Sequence, residues 1–137
     1  MTDRELLELA AKAAGWTGWR SKHGYWNIGG PDGTAQTCCT NWPSYSASTG
    51  DKLLEPAFAD ALSEAGWNPL TDDGDALRLA VKLGIGAQSY AALGYSHAGA
   101  ESVMGSVVIK EPHNGTDPHA STRRAIVRAA AAIGASK

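Results

Sequence analysis

Apolar residues recur at helical spacing in four segments of the chain, and this pattern constrains the fold more than any other feature of the sequence. The first segment, residues 3 to 14, follows Thr2, which begins a capping box, and stops at Gly15, a residue suited to the left-handed position after a helix. The second, residues 52 to 65, stops at Gly66 in the same way. Two helices are therefore expected in the first half of the chain.

The C-terminal half contains the two strongest helical segments. Thr71 is expected to cap the first of them, and aspartates follow in its first turn, where the helix dipole favours negative charge. Its predicted apolar stripe consists of Leu77, Ala80, Val81 and Gly84. The last helix is expected to begin at Asp117-Pro118, because proline is tolerated at the first helical position, and to end at Gly134.

Strand patterns are shorter and lie between the helices. Residues 23 to 28 and 34 to 40 are typical of two strands joined by a glycine-rich turn. Residues 88 to 93 and 103 to 110 predict two further strands. The sequence thus predicts an α+β fold, with a small mixed or antiparallel sheet packed with helices. Residues 1 to 137 are expected to form one domain, since no proline-rich or charged linker divides them.

Composition excludes several classes of protein. The chain is 43% hydrophobic and 19% charged, which is typical of a globular protein and not of a disordered one. A net charge of -2 offers no overall attraction to nucleic acid or to an anionic membrane. We find neither a membrane-spanning apolar run nor a signal peptide, so a cytoplasmic location is expected. The adjacent cysteines Cys38 and Cys39 are interpreted as buried thiols, because a disulfide between neighbours is strained.

Three stretches of the sequence resemble a known group of proteins. They are MTDRELLELAAKAAG at the start, WNPLTDDGDALRLAVKLGI from residue 67 and DPHASTRRAIVRAAAAIG from residue 117. They resemble small bacteriophage and prophage proteins of unknown function, the phage α-β-α sandwich domain family, and more distantly the NinX-like proteins of lambdoid phages. The resemblance implies a layered α-β-α sandwich and a phage product acting in the cytoplasm of a bacterial host. It carries over no catalytic residue.

The segment between these stretches, residues 16 to 65, is longer and more aromatic than the resemblance implies, and we interpret it as an insertion. Trp and Tyr are preferred anchors in binding interfaces and platforms for stacked bases. The alternative is that large rings fill a core whose helices are mostly alanine. The aromatic residues proposed for binding are Trp19, Trp26, Trp42 and Tyr45.

Basic residues provide a second set of candidates. Arg78 lies one helical turn before Lys82, and Arg124 one turn before Arg128, on helices expected to be neighbours. With Arg20, these residues could cradle a phosphate or an acidic partner surface; the alternative is that they are solvated charges paired with nearby aspartates.

Metal and catalytic motifs are weak. The four histidines share no ligand spacing, and Cys38-Cys39 has no second pair, so no metal, cofactor or catalytic residue is expected. The glycines at positions 29, 30 and 33 do not lead into a helix, so they are interpreted as a turn and not as a phosphate loop.

Three functional hypotheses remain open at this point. The first is a non-enzymatic phage accessory protein that binds a host protein or complex, inhibiting a bacterial defence or regulatory system. The second is a small-ligand binder, such as a sponge for a nucleotide signal. The third is a hydrolase or transferase whose polar constellation is assembled only by the fold. The sequence leaves the oligomeric state open.

Overall fold

The computed structural model describes residues 1–20, 26–31, 35–37, 58–102, 105–114 and 117–136. Its helices are α1 (Asp3–Ala14), α2 (Phe58–Glu64), α3 (Asp73–Leu83) and α4 (Pro118–Ala135), with a short 3₁₀ turn at Ala91–Leu93. Its strands are β1 (Thr17–Arg20), β2 (Trp26–Gly29), β3 (Ala35–Thr37), β4 (Gly86–Tyr90), β5 (Tyr95–Ser102) and β6 (Gly105–Pro112).

The α+β prediction is confirmed, and the strands form two sheets. One sheet has the order β1-β2-β3 and the other β4-β5-β6, with every neighbouring pair antiparallel. Helix α4 lies on one face of the second sheet and contacts α1 and α3 on its other side. On the sheet face away from α4, the side chain of Val108 is exposed. The layers therefore run from the second sheet through α4 to α1 and α3.

Helix α1 begins and ends where its caps predict. The Thr2 hydroxyl accepts a hydrogen bond from the Glu5 amide (3.2 Å), and the Glu5 carboxylate accepts one from the Thr2 amide (2.6 Å). The bond from the Thr2 amide, together with a hydrogen bond from the Thr2 side chain, holds the pKa of the Glu5 carboxyl below its usual value. Gly15 follows with φ +91°, the left-handed conformation expected of it.

The expectation that Gly134 ends α4 is wrong. The helix continues to Ala135, and Gly134 is buried within it. A Cβ on Gly134 would overlap the carbonyl oxygen of Leu9 and lie 2.8 Å from the Leu9 carbonyl carbon. Glycine is therefore required here because α1 and α4 approach each other at the level of their backbones.

Helix α3 differs from its prediction in cap and orientation. Asp72, not Thr71, is the N-cap, and its carboxylate accepts the Asp75 amide at 2.8 Å. The Thr71 hydroxyl instead donates to a backbone carbonyl in the preceding turn. Leu77 and Val81, assigned to the buried stripe, are 63% and 74% exposed. The buried residues of α3 are Asp75, Ala76, Leu79 and Ala80.

Strand predictions are met in part. The strand expected at residues 88 to 93 is displaced to β4, and its end is the 3₁₀ turn. The strand expected at residues 103 to 110 corresponds to β6. The predictions for residues 21 to 25, 32 to 34 and 38 to 57 lie outside the described residues, and so do Cys38 and Cys39. Strands β1 and β5 were not anticipated.

Candidate functional site

Two tryptophans follow helix ends by the same local mechanism. Gly15 and Gly66 both have left-handed backbones, with φ +91° and +93°. The Trp16 amide then donates to the Ala11 carbonyl, and the Trp67 amide donates to the carbonyl five residues before it, each at 2.9 Å. This is the hydrogen bond of a Schellman motif, and it turns the chain back toward the helix it has just left.

The two indole rings meet although they are 51 residues apart in sequence. Their centroids are 5.7 Å apart and their planes are inclined by 46°. Trp67 is buried, whereas Trp16 is half-buried. Beside them lies a cavity of about 410 Å³. Its described lining residues are Ala14, Trp16, Pro31, Trp67, Arg78, Leu79 and Lys82.

Two cations of α3 stand at this cavity, one helical turn apart. Arg78 donates from Nη2 to Asp75 Oδ1 at 2.7 Å, while its side chain stays 72% exposed. The other oxygen of Asp75 accepts the Asn68 amide at 2.9 Å. The buried Asp75 carboxylate is thereby satisfied, and it offsets the charge of Arg78. Lys82 has no acidic partner among the described residues, so the described lining of the cavity carries a net positive charge.

The other predicted arginines belong to a different group. Arg124 contacts Asp3 Oδ1 at 2.7 Å and Glu111 Oε1 at 3.5 Å, and Arg128 contacts Glu111 Oε2 at 2.6 Å. The structure thus brings Arg124 and Arg128 together on one half-buried carboxylate, where they tie α4 to α1 and β6. Neither lines the cavity at Arg78.

The predicted aromatic residues are placed only in part. Trp19 lies in β1 opposite Asn27, and Trp26 lies in β2 opposite Arg20. The side chains of Trp19, Arg20 and Trp26 are not among those described. Trp42 and Tyr45 lie outside the described residues, so their binding role stays a prediction.

A buried polar cluster was missed from the sequence, because its members are distant in the chain. Ser96 Oγ lies 2.9 Å from His113 Nε2 and 2.9 Å from Thr122 Oγ1. Thr122 donates its single hydroxyl proton to the Pro118 carbonyl at 2.8 Å. Ser96 then donates its own proton to Thr122 and accepts a hydrogen bond from His113, whose ring is in the tautomer protonated at Nε2.

That direction decides what the cluster can do. A serine nucleophile needs a histidine nitrogen that accepts its proton and a hydroxyl that reaches a substrate. Here the nitrogen of His113 is the donor, and Ser96 is fully buried. The cluster joins β5, the end of β6 and α4, and we interpret it as structural.

A second cavity, of about 370 Å³, lies between α3, β4 and the start of α4. At one end Asp73 accepts from Arg123 Nη1 at 2.6 Å and lies 3.7 Å from His119 Nδ1. The hydrogen bond from Arg123, with the charges of Arg123 and His119, holds the pKa of Asp73 below its usual value. The remaining lining includes Ala76, Leu77, Ala87, Pro118 and Ile126.

Among the residues described, no group of three or more His, Cys, Asp or Glu side chains is arranged to hold a metal ion. Within that same part of the chain, no helix has both the length and the apolar character needed to cross a membrane. No protein-family model, no curated protein and no solved structure is significantly similar to the chain.

Proposed function

We propose that this protein is a phage accessory protein that acts by binding a host macromolecule and not by catalysis. Its binding site would be the cavity beside Trp16 and Trp67, with Arg78 and Lys82 at its edge. The observation that carries the proposal is this pairing of an aromatic wall with two cations on one turn of α3. The phage setting, and inhibition of a bacterial defence or regulatory complex, rest on the sequence resemblance alone.

The chemistry of the cavity defines the partner. Aromatic rings and arginine are the residue types that dominate binding energy at protein interfaces. Trp16 is half-buried, so part of its ring is available to an apolar side chain. The charge of Lys82 favours acidic residues beside that apolar anchor. We therefore expect a host protein segment with one aromatic or leucine side chain flanked by Asp or Glu.

Fluorescent peptides test this expectation directly. Each peptide carries one aromatic or leucine anchor, flanked in one series by acidic residues and in the other by lysines. The acidic series should bind, and its affinity should fall as salt is raised, because exposed charges are screened. Equal binding of both series, or binding of neither, would refute the proposal.

Matched charge reversals locate the site. Lys82→Glu should weaken binding of the acidic peptides by at least about tenfold, because like charges then face each other. Lys110→Glu makes the same change on the outer face of the second sheet, where Lys110 lies 4.1 Å from the Tyr95 ring centroid. It should leave peptide binding unchanged. Equal loss in both variants would mean that net charge, and not the cavity, governs binding.

A nucleotide is the second candidate for the same cavity. Its volume of about 410 Å³ lies within the range of small-molecule sites. An aromatic face and two cations suit a base and its phosphates. A thermal-shift screen with linear and cyclic nucleotides separates the candidates: stabilisation that disappears in Lys82→Glu favours the nucleotide, and no shift with any nucleotide excludes it.

A further inference from the structure

Strand β4 is an open edge of the second sheet. It pairs with β5, and no other strand among the described residues bonds to its opposite side. Its first four residues, 86 to 89, are exposed. An edge strand of this kind presents unpaired amide and carbonyl groups, which template pairing with another strand.

The two edges of this sheet differ in their protection. Strand β6, at the opposite edge, contains lysine, glutamate and proline, residues that discourage strand pairing at an edge. Strand β4 reads GAQSY and contains neither a charge nor a proline. Pairing along β4 therefore meets no charge repulsion and no missing amide.

The residues on the helix side of β4 are also exposed. Ala98 and Ser96 of β5 face α4 and are fully buried. Their β4 partners, Ala87 and Ser89, are exposed at the second cavity. Leu77 of α3 lines the same cavity and is largely exposed, as is Val81 one turn later. Leu77 thus places an exposed apolar side chain of α3 beside the helix side of β4.

On the face of β4 that points away from α4, one end carries a large side chain and the other end carries none. At one end the Tyr90 ring packs against Tyr95, with centroids 5.1 Å apart. At the other end Gly86 lies opposite Gly99. A Cβ on Gly86 would meet nothing closer than 4.0 Å, so this end is open. The two ends are four residues apart on one strand.

We propose that β4 pairs antiparallel with β4 of a second copy, about a twofold axis at Gln88. In that register Gln88 faces Gln88 of the partner subunit, and Tyr90 faces Gly86 of the partner subunit. A large ring thus lies across the strand from each open glycine, twice per interface. The β4-β5-β6 sheets of the two copies then form one six-stranded sheet. The exposed Leu77 and Val81 side chains of both α3 helices lie on the same side of this sheet. An isologous contact of this kind closes as a dimer.

The first test measures the mass of the full chain by light scattering and sedimentation over a wide concentration range. We expect a dimer in equilibrium with monomer. Gln88→Lys places two lysines opposite each other at the axis and should weaken dimerisation by at least about tenfold. Ser106→Lys, at an exposed position of β6, adds the same charge and should not change it. A wild-type protein that stays monomeric throughout overturns the proposal.

Cross-linking tests the register. With Cys38 and Cys39 replaced by serine, Gln88→Cys should form covalent dimers rapidly with a short bis-maleimide, because opposite Cβ atoms lie about 5 Å apart. Ser106→Cys should not, since its two copies are separated by five strand spacings, roughly 24 Å. A dimer that resists Gln88→Lys and cross-links no better at position 88 than at 106 uses another surface, and it equally overturns the proposal.

Discussion

Replacement of Gly134 by alanine tests the closest contact in the core. In an ordinary helix this change is stabilising by up to about 1 kcal/mol, because alanine is the better helix former. In α4 the new methyl group would overlap the Leu9 carbonyl oxygen and lie 3.4 Å from the Ala13 amide nitrogen. Both obstacles are backbone atoms of α1, so no side-chain rotation relieves them.

The size of the effect follows from these opposing contributions. Overpacking a well-filled contact costs about 1 to 3 kcal/mol. Because both obstacles are backbone atoms, we take the upper part of this range, about 2 to 3 kcal/mol. After subtraction of about 1 kcal/mol for helix propensity, we expect Gly134→Ala to lower the free energy of unfolding by about 1 to 2 kcal/mol. For a chain of this size that corresponds to a fall in Tm of roughly 3 to 10 °C.

Gly74→Ala provides the matched control. Gly74 lies in the first turn of α3, and a Cβ there would meet the Asp72 carboxylate at 3.1 Å and the Arg78 guanidinium at 3.2 Å. These are the ends of side chains, and a shift of a few tenths of an ångström relieves both contacts while the Asp72 cap and the Arg78–Asp75 pair are kept. Urea and thermal unfolding should show Gly74→Ala neutral or slightly stabilised. If Gly134→Ala is stabilised as well, the backbones of α1 and α4 do not approach each other as closely at Gly134 as described.

Three other substitutions probe separate contacts. His113→Ala removes the donor to the buried Ser96 hydroxyl and should lower the free energy of unfolding by about 1 to 3 kcal/mol in urea. Thr2→Ala breaks the capping box and should lower the free energy of unfolding by about 1 kcal/mol, with a small loss of helical circular dichroism. Asp73→Asn should destabilise the protein at neutral pH and progressively less in acid. The pKa of Asp73 is depressed, so its contribution is complete above the usual carboxyl value of 3.8 and disappears as pH falls through the lower folded value.

Each of these has an outcome that contradicts its reasoning. A fully stable His113→Ala protein would mean that water or another group satisfies Ser96. An unchanged helix content in Thr2→Ala would mean that tertiary packing, and not the capping box, fixes the start of α1. A stability difference for Asp73→Asn that stays constant from neutral pH into acid would show that the Asp73 carboxylate, and its pKa, are not involved.

The ends of helices were predictable from the sequence because their causes are local. The Thr2 cap and the left-handed glycines at 15 and 66 involve residues within one or two turns of each other. The hydrogen bond from the amide of the Trp residue after each glycine is equally local, because its acceptor lies five residues before it. Such contacts form between neighbours in the chain whatever the rest of the fold does.

The candidate site was predictable only in its components. The spacing of Arg78 and Lys82 identifies them as a basic pair. The sequence analysis placed this pair in one site with Arg124 and Arg128, whereas in the structure it lines a cavity with Trp16 and Trp67. Its immediate partner, Asp75, is three residues away, whereas the indole rings approach it from other elements. Side chains far apart in sequence meet only through the packing of whole helices.

Tertiary packing also chose between patterns that the sequence allowed equally. Helix α3 carries apolar residues on two adjacent stripes, and contact with α4 buried Leu79 and Ala80 while leaving Leu77 and Val81 in solvent. Glycine commonly ends a helix, but Gly134 lies within α4 and allows the backbone of α4 to approach Leu9 closely. By itself the sequence determined both ends of α1, the end of α2 and the start of α4, and that the chain is α+β. The tertiary structure decided which faces are buried, because burial depends on the surface that each helix meets and not on the helix alone.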